Sequence, residues 1–139
     1  MKVFENIAIS GSALTAESLR LDVIANNLAN INTTRTPQGG PYQRQAVSFA
    51  QNLENAGLGD EDKPLGVRVA NINNDPAPFK MTYEPTHPDA DEEGYVAYPN
   101  IDVTQEMTDL ISATRSYEAN TSVLNATKDM YMKALEIGR

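Results

Sequence analysis

Residues Val3 to Asn30 read VFENIAISGSALTAESLRLDVIANNLAN, and this stretch decides the fold. Phe4, Ile7, Gly11, Leu14, Ser18, Leu21, Ala25 and Leu28 follow one another at alternating spacings of three and four, which places them on one seam of a helix. One column of that seam is large (Ile7, Leu14, Leu21, Leu28) and the other small (Gly11, Ser18, Ala25), so a partner helix can approach closely. A second stripe of Ile9, Ala16, Leu19 and Val23 falls nearly opposite, where a surface helix carries polar groups. A helix apolar on two faces needs two partners.

Asn26, Asn27, Asn30 and Asn32 crowd the end of this helix, followed by Thr33 and Thr34. Asparagine amides compete for backbone groups and tolerate the left-handed conformation, so the cluster reads as a C-terminal cap and turn near Asn30. All eight prolines then lie between Pro37 and Pro99, and six of the eight glycines between Gly39 and Gly94. The breakers are confined to the middle, which leaves both ends free to be helical. Within the middle, Tyr42 to Phe49, Val67 to Ile72 and Phe79 to Tyr83 read as three short strands. Asn55 to Pro64, with Asp60-Glu61-Asp62, reads as a mobile surface loop, and Glu84 to Asn100 as irregular chain.

Helical spacing returns from about Asp102 to Ile137. Asp102 and Gln105 resemble a capping box, and Gly138 stands where a C-terminal cap belongs. Val103, Met107, Leu110, Thr114, Tyr117, Thr121, Leu124, Lys128, Tyr131 and Leu135 share one stripe; Ala119, Val123, Ala126, Met130 and Ile137 form another opposite it. The expected fold is mainly α with a small β-containing middle. Long N- and C-terminal helices (residues 1–32 and 101–139) pair as a coiled coil, parallel or antiparallel, with an irregular or β domain (33–100) looped out between them.

In that arrangement the seam Ile7, Leu14, Leu21, Leu28 meets Leu110, Tyr117, Leu124 and Tyr131 within the chain. The outer stripe, Ile9, Leu19 and Val23 with Val123, Met130 and Ile137, has no intrachain cover. At about 25 cal/mol per Å² of apolar surface, four or five aliphatic side chains per helix left in water forfeit several kcal/mol. That is comparable with the stability of a whole domain. Packing between subunits is the expected remedy, and head-to-tail contacts that do not close give helical filaments. A helical hairpin in an ordinary core, a closed dimer, or a closed oligomeric adaptor that binds a partner through the outer stripe satisfies the same pattern.

Composition narrows the function. With 139 residues and 40% apolar content the chain is about one domain, but three Phe, six Tyr and no Trp leave few large side chains for a compact core. The net charge of −8 excludes a phosphate-binding basic stripe, and hence nucleic acid. No cysteine is present, so disulfides and thiolate metal sites are excluded. The start shows no secretory signal and no window long enough to span a membrane, which by itself implies a soluble cytoplasmic protein. One histidine, His87, stands near Asp89, Asp91, Glu92 and Glu93, but the spacing does not match a Ca²⁺ loop and reads as a solvated turn. No nucleophile elbow or phosphate loop occurs. The expectation is no enzyme, no cofactor and no metal.

Ala25-Asn26-Asn27-Leu28-Ala29-Asn30 with Asn32-Thr33 resembles the N-terminal signature of the bacterial flagellar rod and hook proteins, the flagellar axial family. Glu106-Met107-Thr108-Asp109-Leu110-Ile111 and Arg115-Ser116-Tyr117-Glu118-Ala119-Asn120 resemble its C-terminal signature. In the middle, His87-Pro88-Asp89-Ala90-Asp91, Gly94-Tyr95-Val96, Tyr98-Pro99-Asn100, Thr34-Arg35-Thr36-Pro37 and Gly39-Gly40-Pro41-Tyr42 are similar to the rod's proximal members. The resemblance implies a structural subunit of the basal-body rod, the hollow shaft that transmits torque to hook and filament. It makes Asn26, Asn27, Leu28, Asn30, Thr33, Tyr117, Glu118 and Asn120 signature residues. It also implies export through the flagellar type III apparatus without a cleaved signal, which overrides the cytoplasmic inference. Terminal helices lining the channel, and FlgB, FlgF and the adaptor FliE as neighbours, follow from it too.

Overall fold

The structure, a computed structural model, describes residues 2–54 and 63–137. Helix α1 spans Lys2–Ala29 and α2 spans Val103–Ile137; between them run β1 (Gln45–Glu54), β2 (Lys63–Asn74), β3 (Lys80–Tyr83) and β4 (Tyr95–Tyr98). Both helices fall where the apolar spacing places them. They pack antiparallel: Asn27 of α1 bonds Glu106 of α2, and Arg20, two turns earlier, meets Asp109, further along α2. At 1.5 Å per residue α1 is about 42 Å long and α2 about 52 Å. By this alignment the first residues of α1 lie opposite positions near 127–131, so the last turns of α2 overhang.

Asp102 caps α2 by accepting the Thr104 N–H at 2.8 Å, and its carbonyl accepts the Glu106 N–H. The reciprocal half of the expected box is missing, because the Gln105 amide donates to Asp109 instead. The end of α1 is closed by the asparagine–threonine turn: Asn30 donates through Nδ2 to the Asn26 carbonyl, and Thr33 Oγ1 donates to Asn30 Oδ1.

The β elements differ from expectation. They are four strands in place of the three expected, in two separate antiparallel pairs, β1–β2 and β3–β4. β1 begins at Gln45, later than Tyr42, and β4 occupies part of the segment read as irregular. Gly94, at φ +83°, makes the tight return before β4; a Cβ there would sit 2.9 Å from the Tyr83 ring. Val96, on β4, is buried. Of the expected loop at Asn55 to Pro64, Lys63 and Pro64 belong to β2, because they pair with Glu54 and Leu53; its other residues, the cap at Gly138 and the side chain of Phe4 lie outside the described residues.

The β1–β2 hairpin corrects the reading of α1. It is not looped out but lies along the helix. The Ser12 hydroxyl donates to the Ile9 carbonyl at 2.7 Å and accepts the Val67 N–H at 3.1 Å. Gly66, at φ +100°, lets the strand come this close: a Cβ would collide with Ser12 Oγ and stand 3.2 Å from Ile9 Cα. With α2 on one side and the hairpin on the other, α1 finds both partners inside its own chain. Burial therefore falls on Ser10, Ala16, Val23, Ile24 and Asn27. Val23 and Ala16 were expected on the outer stripe; Leu19 is half-buried, and Ile9 is half-exposed beside Gly66. The expected seam residues Ile7, Leu14, Leu21 and Leu28 are only half-buried, because the deepest space is the angle between two neighbours and not the leucine-rich stripe.

On α2 the buried column is Glu106, Ala113 and Thr127, with Leu110, Asn120 and Leu124 half-buried beside it. Tyr117 and Tyr131, expected in the seam, are each 39% exposed. Small side chains at 113 and 127 admit α1 closely, and the bulky tyrosines are displaced to the margin.

Candidate functional site

Where α1 ends, β1 starts and α2 starts, three segments converge on one buried polar junction. Glu106 is completely buried and Asn27 is 1% exposed. Asn27 uses its full hydrogen-bonding capacity: Nδ2 donates to the Gln45 carbonyl (2.8 Å) and to Glu106 Oε2 (3.2 Å), while Oδ1 accepts from the Tyr42 hydroxyl (3.0 Å) and the Gln45 N–H (2.9 Å). Glu106 Oε1 accepts a short bond of 2.6 Å from Arg44 Nε. The Arg44 guanidinium also faces Asp75 at 3.6 Å and Asp109 at 3.9 Å, and Asp109 in turn meets Arg20 at 3.4 Å. Charges alternate along the chain of contacts, so each buried carboxylate is matched by a cation.

The junction joins the two terminal helices to the hairpin through side chains that cannot be spared singly. Removing a partner of Glu106 or Asn27 strands a polar group that is closed to water, whereas Tyr42, Arg44 and Gln45 at the margin keep partial access to solvent. Burial, and then the negative charge of Glu106, push the Tyr42 phenol above its ordinary value, so Tyr42 holds its proton and donates it to Asn27.

The signature residues divide by role. Asn27 is the hub of the junction; Asn26, Asn30 and Thr33 build the turn behind it. Leu28 is half-buried. At the other signature, Asn120 donates to the Ser116 carbonyl along the helix, and Glu118 is exposed. Glu106, Arg44, Asp75, Asp109 and Arg20 carry the junction without having been assigned a role from sequence. The available signal is a pair of acids, Glu106 and Asp109, in the first two turns of a helix and on the side that faces α1.

The second feature is apolar. Val103, Met107, Ile111, Val123, Met130, Met132, Leu135 and Ile137 are exposed along α2, Ile137 to 86%. Val123, Met130 and Ile137 are uncovered in the single chain, whereas on α1 Val23 is buried, Leu19 is half-buried and Ile9 is half-exposed. His87 is structural: its Nδ1 accepts the Asp89 N–H at 3.1 Å, and its ring meets Tyr98 edge-on. Among the described residues no group of three or more His, Asp or Glu is placed to hold a metal, and no helix is long and apolar enough to cross a membrane.

Residues 7–35 match the family described as "Flagella basal body rod protein", and residues 92–137 match "Flagellar basal body rod FlgEFG protein C-terminal". These two segments hold the buried hub Asn27 and its partner Glu106. A flagellar basal-body rod protein FlgC of Bacillus subtilis is 47% identical, with the whole of each chain aligned. FlgC of Borreliella burgdorferi is 44% identical over 99% of this chain and 98% of its own length, and FlgC of Salmonella typhimurium 46% over 94% of each. Similarity of this extent leaves one assignment: the chain belongs to the FlgC family of flagellar basal-body rod proteins.

Proposed function

We propose that this structural rod subunit enters the rod wall by packing the uncovered face and overhang of α2 against neighbouring subunits. The observation that carries the reading is surface. The chain exposes 9977 Å², whereas a compact protein of 15.2 kDa exposes about 7,100 Å². The excess of about 2,900 Å² is of the size that obligate interfaces bury. Much of what α2 presents is methionine, isoleucine, leucine and valine, which a permanently solitary protein keeps out of water.

In this reading residues 1–32 and 101–139 form the wall, and 33–100 the outer domain. The polar junction fixes the angle between wall and outer domain, so torque applied to one is carried by the other. Neighbours are further copies and other rod proteins, FlgB and FlgF, with FliE at the base. The subunit reaches the zone between cytoplasmic membrane and cell wall through the flagellar export apparatus without a cleaved signal.

Ile111→Asp and Met130→Asp test the surface, since both side chains are already solvent-exposed in the single chain. Each variant should keep the helix content and melting temperature of the parent, be exported, and leave cells unable to swim in soft agar. Normal swimming in both would sink the proposal. A fixed small oligomer of the parent chain across a concentration series would favour the closed adaptor.

A further inference from the structure

The geometry points to Asn27, Arg44 and Glu106 acting as a register lock, selecting one of two nearly degenerate alignments of α1 against α2. The degeneracy is visible in α2. Its columns repeat every seven residues: Ala113, Asn120 and Thr127 follow Glu106 in the inward one, and Leu110, Tyr117 and Leu124 succeed one another in the one at its margin. Sliding α1 by one heptad toward the C-terminus of α2 replaces each small residue by another small one and each large residue by another large one. Because α2 overhangs, the slide carries the start of α1 along the last turns of α2 and leaves nearly all of it partnered. It even brings Leu135, half-exposed in the observed alignment, alongside α1. Apolar packing therefore does little to discriminate between the two registers.

The polar junction does discriminate. In the slid register Asn27 faces Ala113, and Glu106 loses its bond from Asn27 Nδ2 while remaining a carboxylate without that donor. Asn27 is held to the hairpin by Gln45 and Tyr42, so it carries β1 and Arg44 away from Glu106 as well. Arg20 and Arg44 also leave Asp109. A buried polar contact that exists in one register only is the device by which paired helices fix alignment. For a subunit whose overhang meets its neighbours, register decides how much of that overhang is presented.

The absence of cysteine allows clean labelling. Nitroxides attached to Asp22→Cys and Lys128→Cys, both exposed positions on opposite helices, report axial offset by pulsed dipolar spectroscopy in the dilute full-length chain. The parent should give one distance. In Asn27→Leu/Arg44→Met/Glu106→Leu, a second population shortened by about 10 Å should appear, the rise of seven helical residues. The melting temperature should be kept or raised, since apolar replacement of a whole buried polar set is commonly neutral or stabilising. The milder Glu106→Gln keeps the side-chain shape and should show the same short population in smaller amount. A single parental distance in a folded triple variant overturns the proposal. Should the triple variant not fold, a lowered melting temperature with one distance in Glu106→Gln overturns it equally, because that is what a purely stabilising contact gives.

Discussion

Replacing Asn27 by alanine isolates the hub of the junction. Four hydrogen bonds of 2.8–3.2 Å disappear, two to the Gln45 backbone, one to Tyr42 and one to Glu106. At about 1 kcal/mol net per bond the loss is about 4 kcal/mol. Gln45 and Tyr42 are only half-buried and recover part of it by bonding water, whereas Glu106 is sealed and recovers none. The expected loss is therefore about 3 kcal/mol, a large share of a domain stability of 5–15 kcal/mol. Urea unfolding followed by helix circular dichroism measures it, and the melting temperature should fall by roughly 10 °C. Asn30→Ala serves as control, because its amide bonds lie on the helix surface and should cost about 1 kcal/mol or less. Equal losses for the two asparagines, or a loss below about 1 kcal/mol for Asn27→Ala, would refute the idea that burial and not the helix cap explains this position.

Gly66→Ala meets both an unfavourable φ and the Ser12 side chain, so it should destabilise by about 2 kcal/mol and speed amide exchange at Val67, whose N–H loses the Ser12 hydroxyl as the hairpin lifts from α1. Asp102→Ala removes the cap of α2 and should cost about 1 kcal/mol, with faster exchange confined to the first turn of that helix. Tyr42 has a folded-state value raised above the phenol value of 10.0, so its contribution is complete below pH 10.0 and is lost as pH climbs through the raised value. The urea midpoint of the parent should accordingly fall more steeply above pH 10.0 than that of Tyr42→Phe; parallel curves would count against this linkage.

Both helices are legible because their apolar residues repeat over many turns and the breakers stop abruptly at either side. β4 is not, since Tyr95-Val96-Ala97-Tyr98 is four residues between Gly94 and Pro99, with one fully buried side chain to betray it. β1 was placed three residues early because Tyr42 has a strand former's side chain but spends it on Asn27. The junction was half legible. Asn27 and Glu106 both stand in signature runs, yet an asparagine near a helix end reads as a cap, and an acid in a first turn reads as dipole compensation. Arg44 sits between two glutamines and carries no local pattern. Only the fold brings positions 27, 44 and 106 together.

Val23, on the outer stripe of α1 by its spacing and yet buried within the chain, shows what periodicity measures. It counts apolar faces and is silent on what covers them. A face on a helix is as readily closed by a β-hairpin as by another helix, and at Gly66 and Ser12 the hairpin does so at contact distance. Val23 is already buried within the chain, so the apolar face left for neighbouring subunits lies on α2. There the same reasoning holds without exception: β1–β2 packs on α1, and Val123, Met130 and Ile137 remain uncovered on the flank of α2. Moving the weight to α2 also changes which mutations matter. A charge at position 23 would injure the fold of the single chain, and its loss of motility would say nothing about assembly. A charge at position 111 or 130 leaves the single chain intact, so only there does failure to swim speak for a contact between subunits.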